Sequence, residues 1–565
     1  MSLSADQAAP ARRTTSISAR EAHRPRNVLI VGGGSAGWIT AALLRRTAPP
    51  DVTITLVESS DIPTVGVGEA ALPGMRKVLR YIGVDEAEFF AECDAAFKLG
   101  IRFSGWNPDR DFWHPFGATA GPRVLINDWL RSAAAGSGVH IDEALDQGTW
   151  QVAARALAPQ SAQCQPYEGD LRVYAYHLDA GLLAKLLKKH AIAAGVRHVV
   201  DTVTTTAVRP DGWISHVETA AHGELHADLF FDCTGFRGEL INQVLGEPFE
   251  SYGKHLWCDR AVAINVPGEP ADRGDLPTYT KSTTGSAGWI WEIPLFSRSG
   301  NGYVYSSAYL SPEAAEAELR AYLGVAEAIP ARHLSMRVGK NSRVWVGNCI
   351  AAGLSGGFIE PLESTGLGLI ESVGEFFIHH SPDMTWDDAL ATRMNNFFSA
   401  AYDFIRDFVS CHYVTATRDD TPFWQQLRRD PEVRTAGVDE VLDQWHRGDL
   451  EGLLPSDGSR APFSPYSWAY IIGGNGLAPK QAAITVDPDE LAGAKAELSA
   501  SAAAVSRLAG VLPDNRQRVR ELREAWERGA RPPTAPDPQA YSAHPASGYL
   551  TNPVQDLRRA AADPV

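Results

Sequence analysis

The stretch VLIVGGGSAGWITAALL, Val28 to Leu44, constrains this chain more than any other. It sets a β-branched apolar run, three successive glycines and a helical apolar run in that order. Strand, tight turn and helix are the opening of a parallel α/β sheet. Gly32, Gly34 and Gly37 fill the three positions of G-x-G-x-x-G. The first permits the turn, the second lets backbone approach a pyrophosphate, and the third packs helix against strand. The helix N-terminus then offers bare N–H groups and a positive dipole end to phosphate. Alone the motif is weak, but Glu58 closes a second strand, VTITLVE, 21 residues past Gly37. A carboxylate there accepts ribose hydroxyls and favours an unphosphorylated adenosine ribose.

Two later stretches lean towards FAD rather than NAD. ADLFFDCTGFRG (Ala227 to Gly238) runs an apolar strand into Asp232 and Gly235, a turn that returns the chain to a cofactor. RVWVGNCIAAG (Arg343 to Gly353) repeats the pattern and leads to Ser364, Thr365 and Gly366. Those three open a helix whose unpaired amides suit an anion or a flavin ring. The sequence holds no second G-x-G-x-x-G, so a flavoprotein of this kind takes its electrons from a separate protein.

With 565 residues, 44% hydrophobic and 21% charged, the chain reads as an ordinary globular protein of two or more modules. A net charge of -16 argues against nucleic acid. Cys93, Cys164, Cys233, Cys258, Cys349 and Cys411 are scattered without a C-x-x-C pair, which implies neither a disulfide framework nor a metal site and fits a reducing cytoplasm. No run reaches the roughly 20 apolar residues a membrane span needs. Residues 1–25 read as a disordered leader and 529–565 as a proline-rich disordered tail. Between them, 26–410 reads as a cofactor-binding core with a strand-rich middle, and 411–528 as a helical substrate module.

Three motifs carry further chemistry. In AFKLGIRFSGW, apolar Phe97, Leu99, Ile101 and Phe103 alternate with Lys98 and Arg102, as on a strand with one apolar and one cationic face. Read by itself, Lys98 is a solvated strand lysine. Glu363 precedes a helix, where the default is a dipole-stabilising cap. In GWIWEIPL (Gly288 to Leu295), residues two apart share a face, so Trp289, Trp291 and Ile293 form one apolar wall ended by Pro294.

Taken with GVGEA (Gly66 to Ala70) and EPLESTG (Glu360 to Gly366), these motifs resemble the flavin-dependent tryptophan halogenases from about Arg26 to about Gly510. The resemblance implies the FAD-binding, Rossmann-type α/β core of single-component flavin monooxygenases, a mixed β-sheet substrate region and an added C-terminal helical module. It implies FAD as FADH2 from a separate flavin reductase, with O2 and chloride or bromide giving hypohalous acid. It places the halide at Thr365 and Gly366. It adds Gly33, Ala36, Ser59, Ala70, Val203, Leu354 and Leu367 to the cofactor contacts. By the same resemblance Lys98 receives the hypohalous acid, by a hydrogen bond or as a chloramine, and Glu363 polarises the oxidant or removes the ring proton. Trp289 and Trp291 form the wall between flavin and substrate.

His114 and Phe116 of DFWHPFG (Asp111 to Gly117) match the aromatic pair that stacks an indole, and Trp468 joins them from the helical module. The segment from Val438 to Gly476 lacks the tyrosine pair and Phe-Trp dipeptide with which the family grips free tryptophan. It has Gly452, Gly458, Pro462 and Pro465, which read as a loop and an open pocket, and Gly368 removes bulk near the site. These departures point to tryptophan within a peptide, such as a lanthipeptide, or another assembled natural product. Free L-tryptophan is the alternative and an FAD-dependent aromatic monooxygenase a second one. A cytoplasmic bacterial enzyme of antibiotic biosynthesis, without a metal site by its cysteine spacing and dimeric by family habit, completes the expectation.

Overall fold

The computed structural model describes residues 22–61, 68–116, 123–145, 148–160, 173–268, 275–448, 463–481 and 486–529. The expected leader up to residue 21 and the tail from residue 530 lie outside them. His23, inside the expected leader, pairs its backbone with Trp386 and packs its ring on Trp213 and Trp386. No described helix is long and apolar enough to cross a membrane.

The opening motif folds as its spacing demands. Asn27–Val31 is a strand, and Ser35–Thr47 is a helix whose N-terminal cap, Gly34, offers no side chain to its amides. Asn27–Val31 lies between Leu229–Asp232 and Thr53–Glu58, all parallel. Cys349–Ala351 and Arg197–Val200 extend the parallel sheet on either side, and Trp345–Val346 closes one edge antiparallel. The chain leaves the first strand in one direction and returns on its other side, so the switch point falls at the glycine turn, where doubly wound sheets bind ligands.

A second, seven-stranded sheet is mixed. Its order is Ala331–Ser335, Arg260–Pro267, Arg298–Tyr305, Gly288–Pro294, Tyr279–Gly285, Gly100–Ser104 and Phe112–Pro115. Gly288–Pro294 sits in the interior of this sheet, which explains its near-continuous burial. Trp291 fits because Gly302 lies opposite it; a Cβ on Gly302 would come within 2.1 Å of the indole.

The lysine motif is not one strand. The chain changes sheets at Leu99: Ala96–Lys98 pairs with Ala175–Asp179, and Gly100–Ser104 enters the seven-stranded sheet. Leu99 keeps its backbone paired, donating to Thr278 and accepting from Phe116. Phe97, Leu99, Ile101 and Phe103 are buried as expected, but Lys98 is fully buried too. The solvated-lysine reading fails because Phe116 and Ser364, from distant segments, meet over its ammonium.

Helices form most of the remainder. Thr365–His380 packs beside Ser35–Thr47, and Asp388–Thr415 runs through residues 410 and 411, where the sequence places a boundary. Pro422–Arg429, Ala436–Arg447, Pro465–Gly474, Pro488–Ala509 and Asn515–Glu527 follow. One hydrophobic core runs from Val28 to Val519, so these helices share the core of the sheets.

Candidate active site

A cavity of about 590 Å³ opens at the switch point. It is lined by Gly32, Gly33, Gly34 and Ala36 from the turn, Glu58 and Ser59 from the second strand end, and Ala70, Val203 and Leu354. Thr365, Gly366 and Leu367 line it from the first turn of the later helix. Every cofactor contact expected from the sequence lines this cavity except Gly37, which stands behind it. A Cβ on Gly37 would lie 1.9 Å from the Gly32 carbonyl oxygen, so Gly37 holds the helix against the turn. Gly37→Ala is therefore expected to weaken FAD binding at least tenfold, read by flavin fluorescence quenching on titration.

The residues fit FAD. Gly33, the middle glycine, is required by Glu58, whose Oε2 would meet a Cβ there at 1.6 Å. Glu58 uses Oε1 for Lys188 and His198, at 2.9 and 2.8 Å. Its Oε2 makes no hydrogen bond with a described residue and is left to accept a ribose hydroxyl. At Gly34 a Cβ would meet nothing within 4 Å, which leaves room for a phosphate at the bare helix end. Ser59 is tied to Thr202 at 2.8 Å.

Trp289, Trp291 and Ile293 line the opposite side of this cavity, while Ile290 turns to a separate core cluster. The period of two is thus met, and the wall is fixed from behind. Trp289 donates its indole N–H to Glu360 Oε2 at 2.9 Å, and Tyr413 donates to the same oxygen at 2.7 Å. Burial pushes the Glu360 carboxyl up to about 7 against these two hydrogen bonds.

Lys98, Glu363, His114, Phe116 and Trp468 do not line the cavity; they form a second cluster behind Ser364. Lys98 Nζ donates to Ser364 Oγ at 2.8 Å and lies 4.7 Å from the centre of the Phe116 ring. Burial pulls the Lys98 ammonium down to about 7, while Glu363 and Glu69 oppose that shift. Ser364 has φ 59°, in the left-handed region that a non-glycine residue adopts only where its surroundings compel it. Its hydroxyl, engaged by Lys98, does not cap the helix, so the amides of Thr365 and Gly366 stay open towards the cavity. One residue thereby links the lysine to the anion-binding helix end.

Glu363 is not the exposed helix cap that its position suggests. It is fully buried between His114 Nδ1 at 3.1 Å and His412 Nε2 at 2.8 Å. Burial alone would raise its carboxyl, but the two histidines outweigh it and hold the group at about 2. His412 Nδ1 faces the Phe408 carbonyl at 2.8 Å, an atom that only accepts. His412 thus turns one ring nitrogen to the Phe408 carbonyl and the other to the Glu363 carboxylate.

His114 is held by Glu363 through Nδ1, and its ring tilts against Tyr470 at 6.2 Å. Trp468 is buried against Phe404 and Phe408, and Phe408 in turn packs on His114 and His412. Of the four residues expected in a loop, only Pro465 is among those described. Pro465 begins the helix Pro465–Gly474, capped by Ser464, while Gly452, Gly458 and Pro462 lie outside the described residues. A Cβ on Gly368 would meet Leu72 at 3.3 Å, so Leu72 occupies the bulk that Gly368 lacks.

Sequence reasoning missed His412, Glu69 and Glu360. His412 lies mid-helix in VSCHYV with no motif around it, and only the fold brings it 49 residues back to Glu363. Glu69 stands in GVGEA, and Glu360 in EPLESTG, so both were within quoted motifs. Glu69 lines the cavity near the Gly366 backbone, and burial pushes its carboxyl up to about 7 against the pull of Lys98.

A cavity that fits FAD, lined by two tryptophans and lying beside a buried lysine and glutamate, is the arrangement of a flavin-dependent halogenase. The family model described as tryptophan halogenase matches residues 27–489, and the chain belongs to that family. A tryptophan 6-halogenase of Streptomyces toxytricini, SttH, is 38% identical over 490 residues, 82% of this chain and 92% of its own. Its crystal structure superposes with a TM-score of 0.78 over 88% of this chain and all of the other, at 34% identity. A 7-chloro-L-tryptophan 6-halogenase of Kutzneria sp. (strain 744), KtzR, is 37% identical, covering 88% of this chain and 99% of its own. MibH, a lanthipeptide tryptophan 5-halogenase, is more distant: 28% identity and a TM-score of 0.72, covering 92% of this chain and 96% of that one. The enzyme uses FADH2, O2 and halide, with the separate flavin reductase typical of its family.

Proposed function

We propose that this enzyme halogenates the indole of free L-tryptophan or of a small tryptophan derivative. The observation that carries this reading is the similarity, over 92% and 99% of their own lengths, to a tryptophan 6-halogenase and a 7-chloro-L-tryptophan 6-halogenase. Leu72 beside Gly368 supports it, as does the match in length between this chain and those two relatives. The peptide reading has no such support: the lanthipeptide halogenase is the more distant match.

Bound FAD, in its reduced form, supplies with O2 the two-electron oxidation of halide to hypohalous acid. The chain's own residues do the rest. The open amides of Thr365 and Gly366 hold the halide on the cavity side. Trp289 and Trp291 keep the indole away from the flavin. Lys98, buried and anchored on Ser364, receives the hypohalous acid and holds it against the ring. Glu363, ionised between His114 and His412, accepts the proton leaving the substituted carbon.

Glu69 sets a condition on this scheme. A carboxylate and a halide beside the same helix end repel one another strongly in a buried site. Halide binding therefore favours the protonated form of Glu69, and the halide KM is expected to rise as pH increases through about 7. Glu69→Gln is expected to flatten that dependence between pH 6 and 8.5, which steady-state kinetics at varied chloride would show.

The substrate assignment is tested by offering free L-tryptophan and tryptophan-bearing peptides side by side, with a flavin reductase, NADH, FAD, O2 and chloride. A chlorine isotope pattern on the free amino acid supports the reading. Chlorination of peptides alone overturns it and leaves the halogenase class intact.

A further inference from the structure

A small antiparallel sheet, Val203–Val208, Ile214–Thr219 and Gly223–His226, reaches the FAD cavity only at Val203. Its second and third strands carry two unusual rungs. His216 lies directly opposite His226, and Glu218 directly opposite Glu224. Residues two apart share a strand face, so all four side chains project from one side of the sheet. Like residues facing each other across a ladder are destabilising when charged. Glu218 makes no ion pair with another described residue, so nothing in the described chain relieves its rung.

The ligand atoms are close. His226 Nε2 is 2.9 Å from one Glu224 oxygen, and His216 Nε2 is 3.7 Å from the other. The two imidazole centres are 4.7 Å apart, and one ligand atom from each of His216, Glu224 and His226 lies within 4.8 Å of the others. Two imidazoles and a carboxylate match borderline divalent cations, and three protein ligands leave a position for water.

We propose that His216, Glu224 and His226 form a Zn²⁺-class binding site that clips the two strands together, with Glu218 at its edge. The sheet needs such a clip more than the rest of the fold does. Of its 16 strand residues only Ile214, Val217 and Thr219 are buried, so little apolar packing holds it. The site is independent of halogenation, since none of its ligands lines the FAD cavity.

The test uses the full chain, stripped with EDTA, and ZnCl2 as the probe. Isothermal titration should give one Zn²⁺ per chain, weakened at least tenfold in the His216→Ala/His226→Ala double variant and in Glu224→Gln. Hydrogen exchange of residues 203–226 should slow with Zn²⁺ in the parental chain and stay unchanged in the double variant. MgCl2 should produce neither effect. No saturable Zn²⁺ binding, or unaltered affinity in the double variant, would overturn the site. An equal response to Mg²⁺ would overturn the imidazole assignment. Chlorination without added zinc should be the same in parent and variants, which separates loss of the clip from loss of the fold.

Discussion

Lys98→Met is expected to reduce chlorinated product by about 10²–10⁴-fold, the range over which a positioned proton-transfer or reacting group acts. Methionine keeps the volume of the buried stem, so the change removes the amine without opening a large void. FAD affinity should stay within about twofold by this reasoning, because Lys98 does not line the cofactor cavity. Stopped-flow reoxidation of reduced flavin should likewise persist. Product loss with intact flavin turnover would place Lys98 after formation of the oxidant; parental product yield would remove it from the mechanism. Its burial also leaves a thermodynamic mark. Burial pulls the ammonium down to about 7, from an ordinary value of 10.5. Between those values the unfolded chain binds a proton that the native chain does not, so this group makes stability rise with pH across that window. Lys98→Met should lose that part of the rise, measured as Tm at pH 7 and pH 9.5.

The second large effect is expected from Glu363→Gln. Halogenation should fall by about 10²–10⁴-fold as the base for the ring proton disappears. Removing one partner of a buried charged cluster also costs about 3–5 kcal/mol, because His412 and His114 lose the carboxylate they face. The sign with pH is opposite to that of Lys98. Glu363 is held below the ordinary carboxylate value, so its stabilisation is complete above about 4.5 and is lost as pH falls towards about 2. The gap in stability between parent and variant should therefore be constant from neutral pH to mild acid and narrow below it. Denaturant unfolding at several pH values would measure this. Unchanged product formation in a folded Glu363→Gln enzyme would sink the base assignment.

Much of the fold was legible in local sequence because local rules decide it. The glycine turn announces itself through backbone conformations and close approaches that larger residues cannot take. The period of two in Trp289, Trp291 and Ile293 placed a wall before any sheet was known. The loop read at Pro465 failed for a similarly local reason: proline is as acceptable in the first turn of a helix as in a loop, and Ser464 before it supplies the cap.

By itself, then, the sequence determined the cofactor cradle, the tryptophan wall and the order of motifs that marks the family. These depend on neighbours within a few residues, where spacing translates directly into geometry. Only the tertiary structure decided that Lys98 is buried, that Ser364 links it to the helix end, and that Glu363 is enclosed between His114 and His412. Those properties arise where strands and helices distant in sequence exclude water together, and burial rather than residue type then sets the charge each group carries.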